Sequence, residues 1–222
     1  MKIGIDIDGV ILDFERELRT YAELYDYIEL NKDGIKDKSE FYVKDRYDWT
    51  DEEVLYFEKK YFVNLSKETH LIPGAKEVIN MLKKDGHELI IITARGGKIA
   101  EMKDVALEKL NNAGLVFDKY YWKQEDKLYV GINENIDVMI DDSYKVCESF
   151  SKNGIKAIHF RDKDIKQAEP NENLIEVSNW GEIYRYINTI KRWKFTKNFH
   201  LFICFFYWLL NLVCIKYNWI YL

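Results

Sequence analysis

Two aspartates near the start of the chain are spaced as a reactive pair of carboxylates would be. Asp6 and Asp8 lie in the second half of the stretch K-I-G-I-D-I-D-G-V, whose β-branched residues are typical of a buried strand. Residues two apart on a strand point to the same side, and Gly9 allows the chain to turn sharply away. Charges are kept out of a protein core unless they are paired or bound to metal. The pair alone fits either a solvated turn or a functional site.

Polar residues also follow two later apolar stretches. The first, E-L-I-I-I-T-A-R, ends near Thr93, and the second, I-D-V-M-I-D-D-S, ends in Asp141 and Asp142. Lys127 begins a helical stretch just before the second. Ligands of an open α/β sheet bind outside the carboxyl ends of the strands, so these side chains are expected to converge on the first pair. Their convergence favours a functional site over a solvated turn.

The elements that must position these residues follow from hydrophobic periodicity. A short strand at 120–122 and further strands at 155–160 and 174–177 alternate with helices, among them the amphipathic stretch 75–84. This rhythm predicts an α/β fold with a doubly wound parallel sheet. Residues 14–72 differ, because they are charged, rich in aromatic residues and helical in spacing.

The ordered set D-x-D-G-V, I-I-T-A-R, a lysine and I-D-D-S resembles the haloacid dehalogenase (HAD) superfamily of phosphohydrolases, over residues 1 to about 186. Within it, the chain looks most like the 5′(3′)-deoxyribonucleotidase-type group. The resemblance implies a Rossmann-like core, formed by 1–13 and 73–190, and a small helical cap, 14–72, inserted after the first strand. It also implies Mg²⁺-dependent hydrolysis of phosphomonoesters, with (deoxy)nucleoside monophosphates as the leading substrates.

The resemblance implies a role for each polar residue. Asp6 would attack phosphorus and form an aspartyl-phosphate. Asp8 would protonate the leaving alkoxide and then deprotonate the attacking water. Thr93 would hydrogen-bond a phosphoryl oxygen. Lys127 would neutralise the nucleophile and the transferring group, and Lys123, four residues earlier, is the alternative.

Mg²⁺ is the expected cofactor, because both the nucleophile and the phosphoryl oxygens are anionic and catalysis depends on neutralising them. Hard oxygen ligands suit this ion. Asp6 and Asp142 can supply carboxylate oxygens, and by the resemblance the backbone carbonyl of Asp8 completes the ligand set. Asp141 is expected outside the metal's ligands, steadying Lys127 or a water.

Substrate contacts are expected from Thr93, Ala94, Arg95 and Lys127. The backbone around Ala94 and Arg95 offers further donors to the phosphoryl group. The Arg95 side chain has two interpretations, contact with the substrate or a place on the surface.

The cap carries many aromatic residues. For any single ring, the cap's own hydrophobic core is the simpler interpretation. Phe41, Tyr47 and Trp49 lie in the more irregular part of the segment, so they are the better candidates for lining a flat substrate.

Composition limits the partners. A net charge of −5 and a pI near 5.5 argue against binding to a nucleic-acid polymer but allow a small phosphorylated metabolite. Three cysteines without a C-x-x-C motif exclude a classical zinc site and indicate a reducing, cytoplasmic compartment. The oligomeric state stays open.

The last segment, 191–222, is basic and then hydrophobic, with residues 199–215 apolar except for two polar positions. It is shorter than an ordinary membrane span. Three interpretations stay open: a membrane-associated tail, a helix packed on the body or a partner, and a segment foreign to the fold.

Two functional alternatives to a nucleotidase also remain. One is a phosphatase for another small metabolite, such as a sugar phosphate. The other is a catalytically silent binding module that keeps the HAD fold and is tethered to a membrane.

Overall fold

A computed structural model describes residues 1–162 and 165–191. Met1–Ile183 form one compact unit and Tyr184–Leu222 a second, of which residues 184–191 are described and helical. The hydrophobic stretch 199–215 lies outside the described residues. Within the described part of the chain, no helix combines the length and apolar character needed to cross a bilayer.

The first unit is built on a six-stranded sheet with the order β3-β2-β1-β4-β5-β6, and every neighbouring pair is parallel. The strands are β1 (Lys2–Ile5), β2 (Glu88–Ile92), β3 (Lys119–Tyr121), β4 (Val138–Asp141), β5 (Lys156–Phe160) and β6 (Leu174–Val177). Strand β1 lies between β2 and β4, where Ile3 pairs with both Leu89 and Val138. This confirms the predicted α/β fold and brings three polar strand ends side by side.

In the part of the chain that the structure describes, seven α-helices lie between β1 and β5. They are α1 (Phe14–Leu24), α2 (Val43–Arg46), α3 (Asp51–Glu68), α4 (Ala75–Lys84), α5 (Glu101–Asn112), α6 (Lys127–Glu134) and α7 (Tyr144–Lys152). Two of them begin and pack as their sequences predict. Thr50 and Glu53 form a reciprocal capping box at the start of α3, and α4 buries Val78, Ile79 and Leu82 against the sheet side of the core.

The segment between β1 and α4 has a hydrophobic core of its own, shared by α1, α2 and α3 and completed by Met102 of α5. Tyr47 and Trp49 are stacked in this core, 4.4 Å between ring centroids, and are 0% and 6% exposed. The Trp49 indole N–H donates to the buried Asp26 carboxylate at 2.7 Å. The prediction that Tyr47 and Trp49 line the substrate site is therefore wrong, because both rings are buried in the hydrophobic core of this segment.

Candidate active site

The end of β1 forms a tight turn that presents two carboxylates differently. Asp6 continues the sheet, since its N–H donates to Ile140 of the adjacent strand at 3.0 Å, and the residue is 5% exposed. Gly9 adopts a left-handed conformation with φ +68° and donates its N–H to Leu12 at 2.8 Å. The turn leaves Asp6 at the floor of the site and Asp8 closer to its mouth.

Three carboxylates and one lysine meet at the centre of the sheet edge. Oxygens of Asp6, Asp141 and Asp142 lie within 4.8 Å of one another, and all three residues are buried. The Lys127 ammonium lies 3.1 Å from Asp6 Oδ1 and donates to Asp141 Oδ2 at 2.7 Å. The other oxygen of Asp141 accepts the N–H of Ser143 at 2.9 Å. Asp141 is thus occupied by the lysine and the backbone, whereas Asp6 and Asp142 face the site.

The local sequence explains why Lys127, rather than Lys123, reaches this cluster. Lys127 is the first residue of α6, whose start is fixed by Asp126, a side-chain cap that accepts the N–H of Tyr129 at 3.1 Å. Lys123 is exposed and precedes the helix in a left-handed conformation with φ +62°. The geometry therefore favours Lys127 of the two alternatives.

The electrostatics of the cluster are unbalanced. Burial raises the pKa of Asp6 to about 6, although Lys127 opposes the shift. Burial and the surrounding carboxylates raise the pKa of Asp142 well above its ordinary value. Burial also disfavours the charge of Lys127, but Asp141 and Asp6 outweigh it and raise the pKa of the lysine. With all three carboxylates ionised, one lysine would offset only one of three negative charges, and the raised pKa values of Asp6 and Asp142 reflect the two that it leaves without a counter-charge.

Thr93 and Arg95 follow β2 at the same edge. Thr93 is 1% exposed, and its N–H donates to Tyr121 at 3.0 Å, which extends the pairing with β3 by one residue. Its hydroxyl oxygen accepts the N–H of Arg95 at 3.2 Å. The Arg95 side chain is fully buried and its guanidinium binds the Asp8 carboxylate, with Nε 2.9 Å from Oδ2. Burial excludes the interpretation of Arg95 as a surface residue.

A cavity of about 400 Å³ opens beside this cluster. Its lining includes Gly9 and Asp142, and Phe41 from the segment before α2. Ser178 and Asn179, after β6, add polar groups. Phe41 thus lines a cavity beside the site, and its contact with a flat substrate stays a prediction.

The family model of haloacid dehalogenase-like hydrolases matches residues 3–134, which is more than half of the chain. The chain belongs to this family. The matched region spans the Asp6 turn, the Thr93 loop and Lys127, and the acidic end of β4 follows directly. The protein is thus a HAD hydrolase, of the phosphohydrolase type.

Known proteins extend this likeness over most of the HAD hydrolase chain. The Bacillus subtilis (strain 168) protein named "Putative nucleotidase YqfW" is 26% identical over 193 residues, which cover 86% of this chain and 95% of that protein. A solved structure of a predicted phosphatase from Clostridium acetobutylicum has a TM-score of 0.60 at 17% identity, covering 85% of this chain and 98% of the other. YfnB from Bacillus subtilis, solved bound to magnesium, has a TM-score of 0.54 at 17% identity, covering 84% and 98%. The two solved structures share the fold.

HAD hydrolases generally use Mg²⁺, and the residues of this site fit that ion. The candidate metal ligands in the site are all carboxylate oxygens, the kind of atom that Mg²⁺ prefers. Asp6 Oδ1 is buried without a well-aligned hydrogen bond, although Lys127 lies near it. When ionised, the three carboxylates exceed the charge of Lys127 by two, which one divalent cation would offset. Asp6 and Asp142 are the carboxylates available as ligands, because both oxygens of Asp141 are already hydrogen-bonded.

Two residues of this HAD hydrolase were not identified as site residues from the sequence. Glu15, in the first turn of α1, lines the cavity beside Asp142, and burial and the Asp8 carboxylate raise its pKa. Glu15 lies two residues after Asp13, at the start of the helix that follows the reactive turn. This position in the sequence could have identified it as a candidate. Ser66 lies inside α3 and binds Arg95, and no local pattern distinguishes it from other helix residues.

Proposed function

We propose that this HAD hydrolase is a Mg²⁺-dependent phosphomonoesterase that acts through an aspartyl-phosphate, with (deoxy)nucleoside monophosphates as its substrates. The observation that carries the proposal is the buried group of Asp6, Asp141 and Asp142 around a single lysine. The ionised carboxylates would repel a phosphate dianion. Asp6 and Asp142 would hold a divalent cation, which would supply the positive charge that phosphate binding needs here.

Asp6 is the nucleophile of the proposed reaction. One of its carboxylate oxygens forms a bond to phosphorus while the bond from phosphorus to the leaving alkoxide breaks. Asp8 gives its proton to that alkoxide and then takes a proton from the water that attacks the aspartyl-phosphate. The second attack releases phosphate and restores Asp6. Bound Mg²⁺ would neutralise the phosphoryl oxygens during both steps.

The other residues neutralise or orient the transferring group. Lys127 lies 3.1 Å from Asp6, so its charge offsets the negative charge that nucleophile and phosphate bring together. Thr93 is the proposed hydroxyl donor to a phosphoryl oxygen, and the N–H of Ala94 is a further proposed donor, whereas the N–H of Arg95 donates to the Thr93 hydroxyl oxygen. Asp141 holds Lys127 in place at 2.7 Å rather than touching the substrate.

A nucleoside is the proposed leaving group for two reasons. YqfW, whose name assigns it to the nucleotidases, is similar over almost its whole length. The cavity beside Asp142 also offers an aromatic ring, Phe41, and polar groups at Ser178 and Asn179. Stacking on an aromatic ring contributes about 1–3 kcal/mol per base in nucleic-acid binding. A sugar phosphate is the runner-up, because the same polar groups also suit sugar hydroxyls.

The test is phosphate release by purified protein from a panel of nucleoside monophosphates and sugar phosphates, with Mg²⁺ or with a chelator. We expect turnover that requires Mg²⁺, highest with nucleoside monophosphates, and none above background in Asp6→Asn with the fold retained. Faster turnover of sugar phosphates would favour the runner-up. Lack of turnover on the whole panel would favour the catalytically silent binding module, and full activity of Asp6→Asn would refute the nucleophile.

The proposed location is cytoplasmic, and the segment 199–215 is the candidate for membrane association. Membrane association through this segment can be tested by comparing the full chain with a version that ends at Ile190. A membrane-associated tail predicts that the full chain sediments with membranes and the shortened one does not. Equal partitioning would leave the tail without that role.

A further inference from the structure

The guanidinium of Arg95 contacts three separate parts of the molecule: the turn after β1, helix α3 and helix α5. Its Nε lies 3.1 and 2.9 Å from the two oxygens of Asp8, and one terminal nitrogen also donates to Asp8. The other terminal nitrogen donates to the Ser66 hydroxyl in α3 and, at 3.1 Å, to the carbonyl oxygen of Met102 in α5. The guanidinium carbon lies 5.2 Å from the centroid of the Phe14 ring. Each of the three guanidinium nitrogens therefore donates to a group inside the protein.

This arrangement differs from that of a substrate-binding arginine. The Arg95 side chain is 0% exposed, whereas Asp8 retains 21% exposure toward the site. A guanidinium has only donors, in a fixed planar fork, so a carboxylate bound along one edge is held in one orientation. The carboxylate of Asp8 is thus the part that faces the substrate, and Arg95 lies behind it.

The contact with Ser66 extends this restraint to the cap. Ser66 is 0% exposed and belongs to the last turn of α3. A second pair, Lys98 with Glu58 at 2.9 Å, also connects the loop after β2 to α3. A shift of α3 relative to that loop would move the guanidinium, and the guanidinium would carry Asp8 with it.

We propose that Arg95 is a positioning residue that aims the Asp8 carboxylate at the leaving-group oxygen and couples that aim to cap helix α3 through Ser66. The inference rests on the proposed phosphatase function. It assigns Arg95 to protonation of the leaving group and not to binding of the phosphate.

Comparing substrates with different leaving groups distinguishes a residue that positions Asp8 from one that binds phosphate or only stabilises the fold. A nucleoside alkoxide must be protonated as it departs, whereas p-nitrophenolate leaves without a proton. The ratio kcat/KM reports the steps up to departure of the leaving group, so the later hydrolysis of the aspartyl-phosphate does not obscure the comparison. A residue that acts through Asp8 is therefore expected to matter for one substrate and not for the other.

The experiment measures kcat/KM for a nucleoside monophosphate and for p-nitrophenyl phosphate with saturating Mg²⁺. Positioned acid–base groups contribute about 100- to 10,000-fold, so Arg95→Met is expected to lose about 10- to 100-fold on the nucleotide and less than about 3-fold on p-nitrophenyl phosphate. Ser66→Ala is expected to lose about 3- to 10-fold on the nucleotide alone, a small share of that contribution. Arg185→Met, at an exposed helical residue, is the matched control and should equal wild type on both.

A double-mutant cycle completes the test. In an Asp8→Asn background, Arg95→Met should cause no further loss on the nucleotide, because its effect passes through Asp8. Equal losses on both substrates, as a phosphate-binding or purely structural residue would give, overturn the inference, and so does an undiminished effect in the Asp8→Asn background. If Arg95→Met does not fold, Ser66→Ala decides by the same comparison. Absence of turnover by wild type on both substrates would instead reject the proposed function and this inference with it.

Discussion

The backbone of Gly9 packs directly against the carboxylate of Asp142. A β-carbon at Gly9 would lie 1.7 Å from Oδ2 of Asp142, far inside van der Waals contact, and the residue has φ +68°. The loop after β1 and the end of β4 can therefore bring their carboxylates together only with glycine at this position. The glycine of the D-x-D-G motif has a steric role at the proposed metal site as well as its role in the turn.

Gly9→Ala is accordingly expected to displace Asp142 and to lower kcat/KM by about 100-fold or more, the scale associated with misplacement of a reacting group by about 1 Å. Mg²⁺ affinity, measured by calorimetry, should fall with it. Gly86→Ala is the matched control, because Gly86 also has a left-handed φ, +80°, but nothing lies within 4 Å of its added β-carbon. The control should lose about 1–2 kcal/mol of stability and keep its activity. Equal activity losses in both variants would mean that strain, not the Asp142 contact, is responsible.

Replacing Lys127 tests the choice between the two candidate lysines. Lys127→Met leaves Asp6 and Asp141 without their cation, so we expect a loss of at least about 100-fold in kcat. Breaking a buried ion pair also costs about 3–5 kcal/mol of stability, and added Mg²⁺ should recover part of it. Lys123→Met should behave as wild type in steady-state kinetics and thermal unfolding. The reverse pattern would assign the catalytic role to Lys123.

The pH dependence of stability tests the electrostatics of Asp6. Burial raises its pKa from 3.8 to about 6 in the folded chain, so the native state binds the extra proton between these values. The tighter proton binding of Asp6 in the folded state stabilises that state. This contribution to the free energy of unfolding is complete below about pH 4 and is lost as the pH rises through about 6. In metal-free buffer at pH 7, Asp6→Asn should be more stable than wild type by about 2–3 kcal/mol.

The measurement is thermal unfolding of wild type and Asp6→Asn from pH 4 to pH 7, with a chelator or with Mg²⁺. Other titrating groups contribute to both proteins, so the difference isolates Asp6. It should grow as the pH rises without metal and shrink when Mg²⁺ is added, since the ion binds only the native carboxylates. A difference that does not change with pH would contradict the expected shift.

The sheet and its polar edge could be predicted because their signals are local. The apolar runs that end at Thr93 and Asp141 mark buried strands without reference to the rest of the chain. Parallel strands between helices then place these ends at one edge. The choice of Lys127 over Lys123 depended on where α6 begins, which the cap formed by Asp126 determines.

Contacts between distant segments were not predictable in the same way. The error at Tyr47 and Trp49 arose because an aromatic residue in an irregular segment can face either a site or a core, and the buried Asp26 that receives the indole N–H gives no signal in the sequence. The link from Arg95 to Ser66 joins residues 29 positions apart, and it follows from the packing of α3 beside the loop after β2. The predicted boundaries of core and cap, at 13 and 72, stay predictions.

Phe41 provides the test of the leaving group. It lines the cavity beside Asp142, and its ring is only partly buried, packed edge-on against Tyr42 with 4.9 Å between centroids. If a nucleobase stacks on this ring, Phe41→Ala removes about 1–3 kcal/mol of binding, which corresponds to a rise in KM of about 5- to 150-fold for nucleoside monophosphates. KM for a small alkyl phosphate should not change, because that substrate has no flat group.

Tyr56→Ala is the control. Tyr56 is an aromatic residue of α3 that is 55% exposed and does not line the cavity, so its replacement should leave both KM values unchanged. An unchanged KM for nucleotides in Phe41→Ala would remove the structural support for a nucleoside leaving group and favour the sugar phosphate, whose hydroxyls need only the polar side of the cavity.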